Sequence, residues 1–158
     1  MQISFIFSSA EISTQLELSL FCSKISAGFP SPAEDAIELS LDLNNLVVAH
    51  PSSTFFVRVE GESMSGAGIL SGDMLVVDRS IKPRSGDIVV AVLEGEFTVK
   101  RWLQRDNKWF LVPENSSFNE IHISTDSSEQ QFEIWGVVTY AVHCLRTTPF
   151  QQYDVCSR

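Results

Sequence analysis

From residue 54 onward the chain alternates short apolar runs with clusters of turn-forming residues. Residues 55–60 are β-branched and aromatic and stop at Gly61. The run Met-Leu-Val-Val at 74–77 follows a Gly72-Asp73 turn, and Ile-Val-Val-Ala-Val-Leu at 88–93 follows the turn-rich stretch 83–87. Glu94-Gly95 has the form of a two-residue hairpin loop, so 96–103 return as the partner of 88–93. Asp106-Asn107 separates Trp102 from Trp109 in a second hairpin, and 132–142 supply a late strand. About seven short strands at this spacing predict an all-β or mostly-β core, a curled, barrel-like sheet.

The first 27 residues read differently. They are rich in serine and carry only Glu11, Glu17 and Lys24 as charges. Ile12, Leu16 and Leu20 fall at i, i+4, i+8 and allow a short amphipathic element. The stretch reads as a flexible N-terminal arm rather than part of the core, with the main domain at 28–158. The link Ala27-Gly28-Phe29-Pro30-Ser31-Pro32 is extended and non-helical. After it, Ser31 as N-cap, Pro32 at the first helical position and Glu34 in a capping box predict one short helix to about Leu43.

Composition narrows the classes. Apolar residues make up 44% of the 158, including 11 Phe and 3 Trp, enough for a packed core. The formal net charge of −9 argues against direct duplex-DNA binding, which needs a basic face. It leaves room for docking on proteins that themselves hold DNA. No apolar run approaches the ~20 residues of a membrane-spanning helix. The segment around Phe5-Ile6-Phe7 lacks the basic start of a secretory signal, so a cytoplasmic location is expected. Cys22, Cys144 and Cys156 are odd in number and widely spaced, which fits neither a disulfide framework nor a zinc site. No cofactor or metal is expected. His50, His122 and His143 have no carboxylate at a spacing that signals a triad or metal site.

Two residues carry candidate chemistry. Ser63 follows Gly61-Glu62 at the tight exit of the 55–60 strand, where backbone N–H groups can face a developing oxyanion and the hydroxyl can face a substrate. A serine after glycine at a strand end is more often a plain turn residue. Lys100 lies mid-strand, and alternation puts Thr98, Lys100 and Trp102 on one face. Burial there lowers an ammonium's pKa, and a neutral lysine amine can take a proton from a serine hydroxyl. A lone lysine in a strand is more often a surface or edge residue.

With their surroundings, these residues resemble the UmuD branch of the LexA-type self-cleaving Ser-Lys peptidases. The matching stretches are Ala27-Gly28-Phe29-Pro30-Ser31-Pro32, Asp42-Leu43-Asn44-Asn45-Leu46, His50-Pro51-Ser52, Gly61-Glu62-Ser63-Met64 and Gly72-Asp73-Met74-Leu75-Val76-Val77-Asp78. Gly86-Asp87-Ile88-Val89, Gly95-Glu96-Phe97-Thr98-Val99-Lys100 and Gly136-Val137-Val138 complete a collinear set across about 26–142. The resemblance implies a curled β-sheet core like that of LexA and signal peptidases. It implies Ser63 as nucleophile, Lys100 as general base, Ala27–Gly28 as the scissile bond and the N–H groups of Glu62 and Ser63 as the oxyanion hole. It also implies a homodimer, stimulation by the RecA–ssDNA filament, and a shortened product that joins a UmuC-like Y-family DNA polymerase in SOS mutagenesis.

Departures from the branch are few. Ala27 stands where the UmuD branch more often has Cys before the scissile Gly, as in LexA-like repressors. A second Ala-Gly pair, Ala67-Gly68, is too close to Ser63 to be its target. The tail after about Cys144 is longer than usual and has no assigned function. Too few residues precede Gly28 for a helix-turn-helix, so a LexA-type repressor is not expected. The alternatives are a signal-peptidase-like enzyme acting in trans and a non-catalytic module that binds the polymerase or RecA.

Overall fold

A computed structural model describes residues 1–8, 17–21, 38–124 and 131–145. Those residues form ten strands: β1 (Gln2–Ser8), β2 (Glu17–Phe21), β3 (Glu38–Asp42), β4 (Thr54–Glu60), β5 (Met74–Asp78), β6 (Ile88–Leu93), β7 (Glu96–Arg105), β8 (Lys108–Val112), β9 (Ile121–Ile123) and β10 (Phe132–Val142). One α-helix, α1, spans Leu43–Val47. Eight strands make one antiparallel sheet in the order β1-β4-β5-β10-β6-β7-β8-β9, and β2 pairs with β3 in a separate ribbon. The expectation of a mostly-β core therefore holds.

The local causes are those of the sequence pattern. The β6–β7 hairpin turns at Glu94 and Gly95 with φ of 50° and 81°. The β7–β8 hairpin turns at Asp106 and Asn107 with φ of 48° and 63°. Positive φ at both loop positions matches the right-handed twist of the flanking strands. β10 is shared: its first half pairs with β6, its second half with β5, and the register slips between Ile134 and Gly136 and again between Val138 and Tyr140. Such bulges bend a strand and increase local twist. The sheet curls far enough for Val99 N–H of β7 to donate to the carbonyl of Met1 at 3.4 Å.

The buried side chains form two clusters. One gathers Val57, Val59, Met64, Leu75, Val77, Val90 and Val99, and the other gathers Val89, Ala91, Trp102, Leu111, Ile123 and Val137. In the second, Trp102 stacks on Trp109 with ring centroids 4.5 Å apart. Alternate residues of β6 and β7 feed alternate clusters, as a period of two requires.

Two expectations about the N-terminal region need correction. Residues 1–8 are not detached from the core: β1 is the edge strand beside β4, and Met1 belongs to the first cluster. The helix does not run through to Leu43. Glu38–Asp42 is strand β3, with Leu39 opposite Leu20 and Leu41 opposite Leu18. The Glu-Leu-Ser-Leu alternation at 38–41 matches Glu-Leu-Ser-Leu at 17–20, and this period of two prevails over the helical reading. Helix α1 begins after it, with Asp42 as N-cap accepting from Asn44 N–H at 2.9 Å. Ser31, Pro32, Glu34, Ile12 and Leu16 lie outside the described residues.

Candidate active site

Ser63 sits just past the end of β4. Gly61, at φ 98°, turns the chain out of the ladder in a conformation that costs a residue without a Cβ very little. The next side chain inward, Met64, is fully buried and anchors the loop in the first cluster. A single 3₁₀ turn, Ser65–Ala67, follows. Ser63 is thereby held at 0% exposure, so its hydroxyl faces protein on all sides.

Lys100 comes from the middle of β7, opposite Val89 of β6, and is 6% exposed. Its Nζ donates to Ser63 Oγ at 2.9 Å, to Thr98 Oγ1 at 3.1 Å and to the Val99 carbonyl at 3.0 Å. Burial lowers the pKa of this ammonium, and the neighbouring Met1 amine raises it only in part, so the net shift is downward. The amine nitrogen of Met1 donates to the same Ser63 Oγ at 2.8 Å. Burial, the Lys100 charge and a hydrogen bond with Lys100 push this amine down to about 5. The pocket thus disfavours positive charge on either nitrogen. A buried hydroxyl hydrogen-bonded to an amine that gives up its proton readily is the chemical equipment of a nucleophile and its base.

The structure brings Ser63, Glu62 and Lys100 together, while Ala27 and Gly28 lie outside the described residues. Sequence reasoning missed how Thr98 contacts the lysine, although alternation had put both on one face. It also missed residues 114–115, which brace the Ser63 loop. Glu114 N–H donates to the Ser63 carbonyl at 2.8 Å, and Asn115 Nδ2 donates to the Glu62 carbonyl at 3.0 Å. A separation of 53 residues between Asn115 and Glu62 leaves no local signal.

The histidines lie in other networks. His50 Nδ1 pairs with Asp78 Oδ2 at 2.6 Å and His143 Nδ1 with Asp73 Oδ1 at 2.5 Å, both carboxylates being buried. These partners lie 28 and 70 residues away along the chain, so no local spacing announces them. His122 packs against the Phe110 ring. Among the described residues no three His, Cys, Asp or Glu side chains cluster in a way that could hold a metal ion, and no helix is long and apolar enough to cross a membrane. Cys144 is exposed, and Cys22 and Cys156 lie outside the described residues.

Comparison with known proteins points the same way. Residues 19–139 match the family model described as Peptidase S24-like. The chain is 45% identical over 128 residues to Protein ImpA of Salmonella typhimurium, covering 80% of this chain and 84% of that protein. It is 44% identical over 137 residues to Protein MucA of Escherichia coli, covering 87% and 92%. Similarity extends to the LexA repressor of Hahella chejuensis (strain KCTC 2396), 40% identical over 114 residues, which is 72% of this chain and 56% of the repressor.

Proposed function

The chain belongs to the Peptidase S24-like family, and from that premise we propose that it cuts its own backbone once, between Ala27 and Gly28. Ser63 is the nucleophile and Lys100 the general base. The observation that carries this reading is the 2.9 Å hydrogen bond between their side chains in a water-poor pocket.

The neutral Lys100 amine takes the proton from Ser63 Oγ as the oxygen attacks the Ala27 carbonyl carbon. The resulting oxyanion is met by the backbone N–H groups of Glu62 and Ser63, donors fixed by the bracing of their loop. As the tetrahedral intermediate collapses, the Ala27–Gly28 bond breaks and Lys100 passes its proton to the Gly28 nitrogen. The acyl group, now an ester of Ala27 on Ser63, is released by water, with Lys100 again accepting a proton. Ala27 has a side chain small enough for a tight pocket, and Gly28 tolerates a bent backbone.

The resemblance to UmuD-type proteins extends the proposal. Cleavage is stimulated by the RecA–ssDNA filament, and the shortened product works as a homodimer with a UmuC-like Y-family polymerase in SOS mutagenesis. The net charge of −9 suits a protein whose partners hold the DNA. Stimulation has a physical task here. Met1 lies against Ser63, so the Ala27 carbonyl reaches the hydroxyl once the Met1 end of β1 gives way.

The test is intact mass spectrometry of the purified chain at alkaline pH, with and without RecA–ssDNA filament, beside Ser63→Ala. A fragment beginning at Gly28 in the native chain alone is expected. An uncut native chain under both conditions, or equal cutting of the serine variant, overturns the reading.

A further inference from the structure

Ser63 and Lys100 do not come from neighbouring strands. Three strands, β5, β10 and β6, separate β4 from β7 in the sheet. Apart from the Val99 N–H bond to the Met1 carbonyl, the backbone hydrogen bonds of the sheet leave the spacing of the two side chains to the accumulated curl of five strands. A shorter route joins them. β8 is the ladder partner of β7, with Arg101 opposite Val112. Two residues beyond β8, the Glu114 backbone docks on the serine loop, its N–H donating to the Ser63 carbonyl at 2.8 Å and its carbonyl accepting from Gly66 N–H at 2.7 Å.

Side chains close the same route. Asn115 Nδ2 donates to the Glu62 carbonyl at 3.0 Å and to Ser65 Oγ at 3.3 Å. The Glu114 carboxylate accepts from Arg101 Nε, and Arg101 Nη1 donates to the Gly86 carbonyl at 2.7 Å. Arg101 is the residue after Lys100, so one end of the bracket is the lysine strand and the other is the serine loop.

We propose that Arg101, Glu114 and Asn115 are positioning residues that set the distance and direction between Ser63 Oγ and Lys100 Nζ, a role that rests on the self-cleavage reading above. The bracket acts on geometry more than on stability. The Arg101 and Glu114 side chains are 28% and 31% exposed, and an ion pair open to solvent contributes little to folding. A misplacement of about 1 Å between reacting groups, by contrast, costs a reaction about 100-fold.

The experiment compares the full-length native chain with Arg101→Ala, Arg101→Lys, Glu114→Gln and Asn115→Ala. Three quantities are read: the first-order rate of loss of intact mass, the thermal midpoint, and the titration of Lys100 followed by NMR of its side-chain carbon and nitrogen. The alanine and glutamine variants are expected to cleave about 10- to 100-fold more slowly, with midpoints within about 4 °C of native. Their Lys100 titration moves up toward that of an ordinary lysine, because a loosened loop admits water to the ammonium. Arg101→Lys recovers part of the rate, since it keeps the charge and loses the fork. Rates within twofold of native with an unmoved Lys100 titration overturn the proposal. So does a rate loss that only follows a matching fall in midpoint while the titration stays put. If the native chain never cleaves, the self-cleavage reading fails. The Lys100 titration of the variants then decides the positioning role by itself, because it needs no cleavage to be measured.

Discussion

The two halves of the Ser63–Lys100 pair are built by opposite means. Lys100 is locked into the interior of a ten-residue strand, with β6 along one side and β8 on the other from Arg101 onward. Its location follows from the sheet, and what is tuned is its environment. Ser63 stands outside the ladders, in a loop held by one buried methionine and by hydrogen bonds from a segment more than fifty residues away. Its environment follows from that docking, and what is tuned is its position. Removing the lysine amine should therefore act through proton transfer, and loosening the serine loop chiefly through geometry.

The sharpest test of the lysine half is Lys100→Met, which keeps the length and apolar bulk of the stem and removes the amine. Cleavage is expected to fall about 10²- to 10⁴-fold, the usual contribution of a positioned general base. Folding is expected to be unharmed or improved at neutral pH. The folded-state pKa of Lys100 lies below the ordinary 10.5, so between the two values the unfolded chain binds more protons than the folded one. Native stability accordingly rises as pH climbs toward 10.5, and the native protein is at its relative disadvantage below the folded-state value. Thermal melts of both proteins at pH 7 and pH 10 check this. The methionine variant should hold a larger advantage at pH 7 than at pH 10. The native cleavage rate should also rise with pH as the amine loses its proton, and a flat profile would count against Lys100 as the base.

The serine half is tested by Gly66→Ala. A Cβ at this position would stand 2.3 Å from the Glu114 carbonyl oxygen, a backbone atom with no rotamer to escape into. The loop and residues 113–115 must then part, and the Gly66 N–H bond to Glu114 weakens. Cleavage is expected to drop about 100-fold, with a loss of about 1–3 kcal/mol in urea unfolding. The Lys100→Met and Gly66→Ala effects have different signatures: the first abolishes the base without loosening the fold, the second loosens the loop and keeps the base, whose titration moves up with the water the loop admits. A Gly66→Ala protein with native cleavage would break the contrast between the two halves.

The same contrast explains what was legible from the sequence. Local chemistry announces itself. The apolar run of β6, the Glu94-Gly95 and Asp106-Asn107 turns and the alternation in β7 all follow from short-range patterns, and they placed Lys100 correctly on an inward face. The exit at Gly61 located the Ser63 turn for the same reason. Tertiary choices left weaker traces. Residues 1–8 carry serine among their aromatic residues and read as an arm, yet β1 pairs with β4 because the β4 edge is open to accept a strand. The three-residue β9 is too short to show a period. Glu38–Asp42 fell within the helix predicted from the Ser31-Pro32 start and also carried a period of two, and pairing with β2 decided between them. The bracket at 114–115 and both His–Asp pairs join residues far apart in the chain, where no spacing rule applies.

The smallest expected effect lies at the end of β4 remote from Ser63. There Asp78, the last residue of β5, is opposite Thr54 and accepts from the His50 ring, from Ser80 Oγ at 2.6 Å and from Ser80 N–H at 2.8 Å. Burial pushes this carboxyl up, but the Ser80 and His50 hydrogen bonds outweigh it and the net shift is downward. A carboxylate whose folded-state pKa lies below its unfolded value of 3.8 adds stability that is fully present above that value and is lost as pH falls through the folded one. Asp78→Asn keeps the shape and removes the charge, so it should cost about 1 kcal/mol at neutral pH, near the net worth of a buried hydrogen bond. Its penalty should shrink as the pH is lowered through the acid range, where native Asp78 is itself neutralised. Cleavage should stay within twofold of native, because neither the serine loop nor the lysine strand is touched. Urea titrations at pH 7 and pH 3, run beside the cleavage assay, check all three points. A cleavage defect in this variant would mean that strain at the far end of β4 reaches Gly61, and the serine half would then depend on its strand as well as on its bracket.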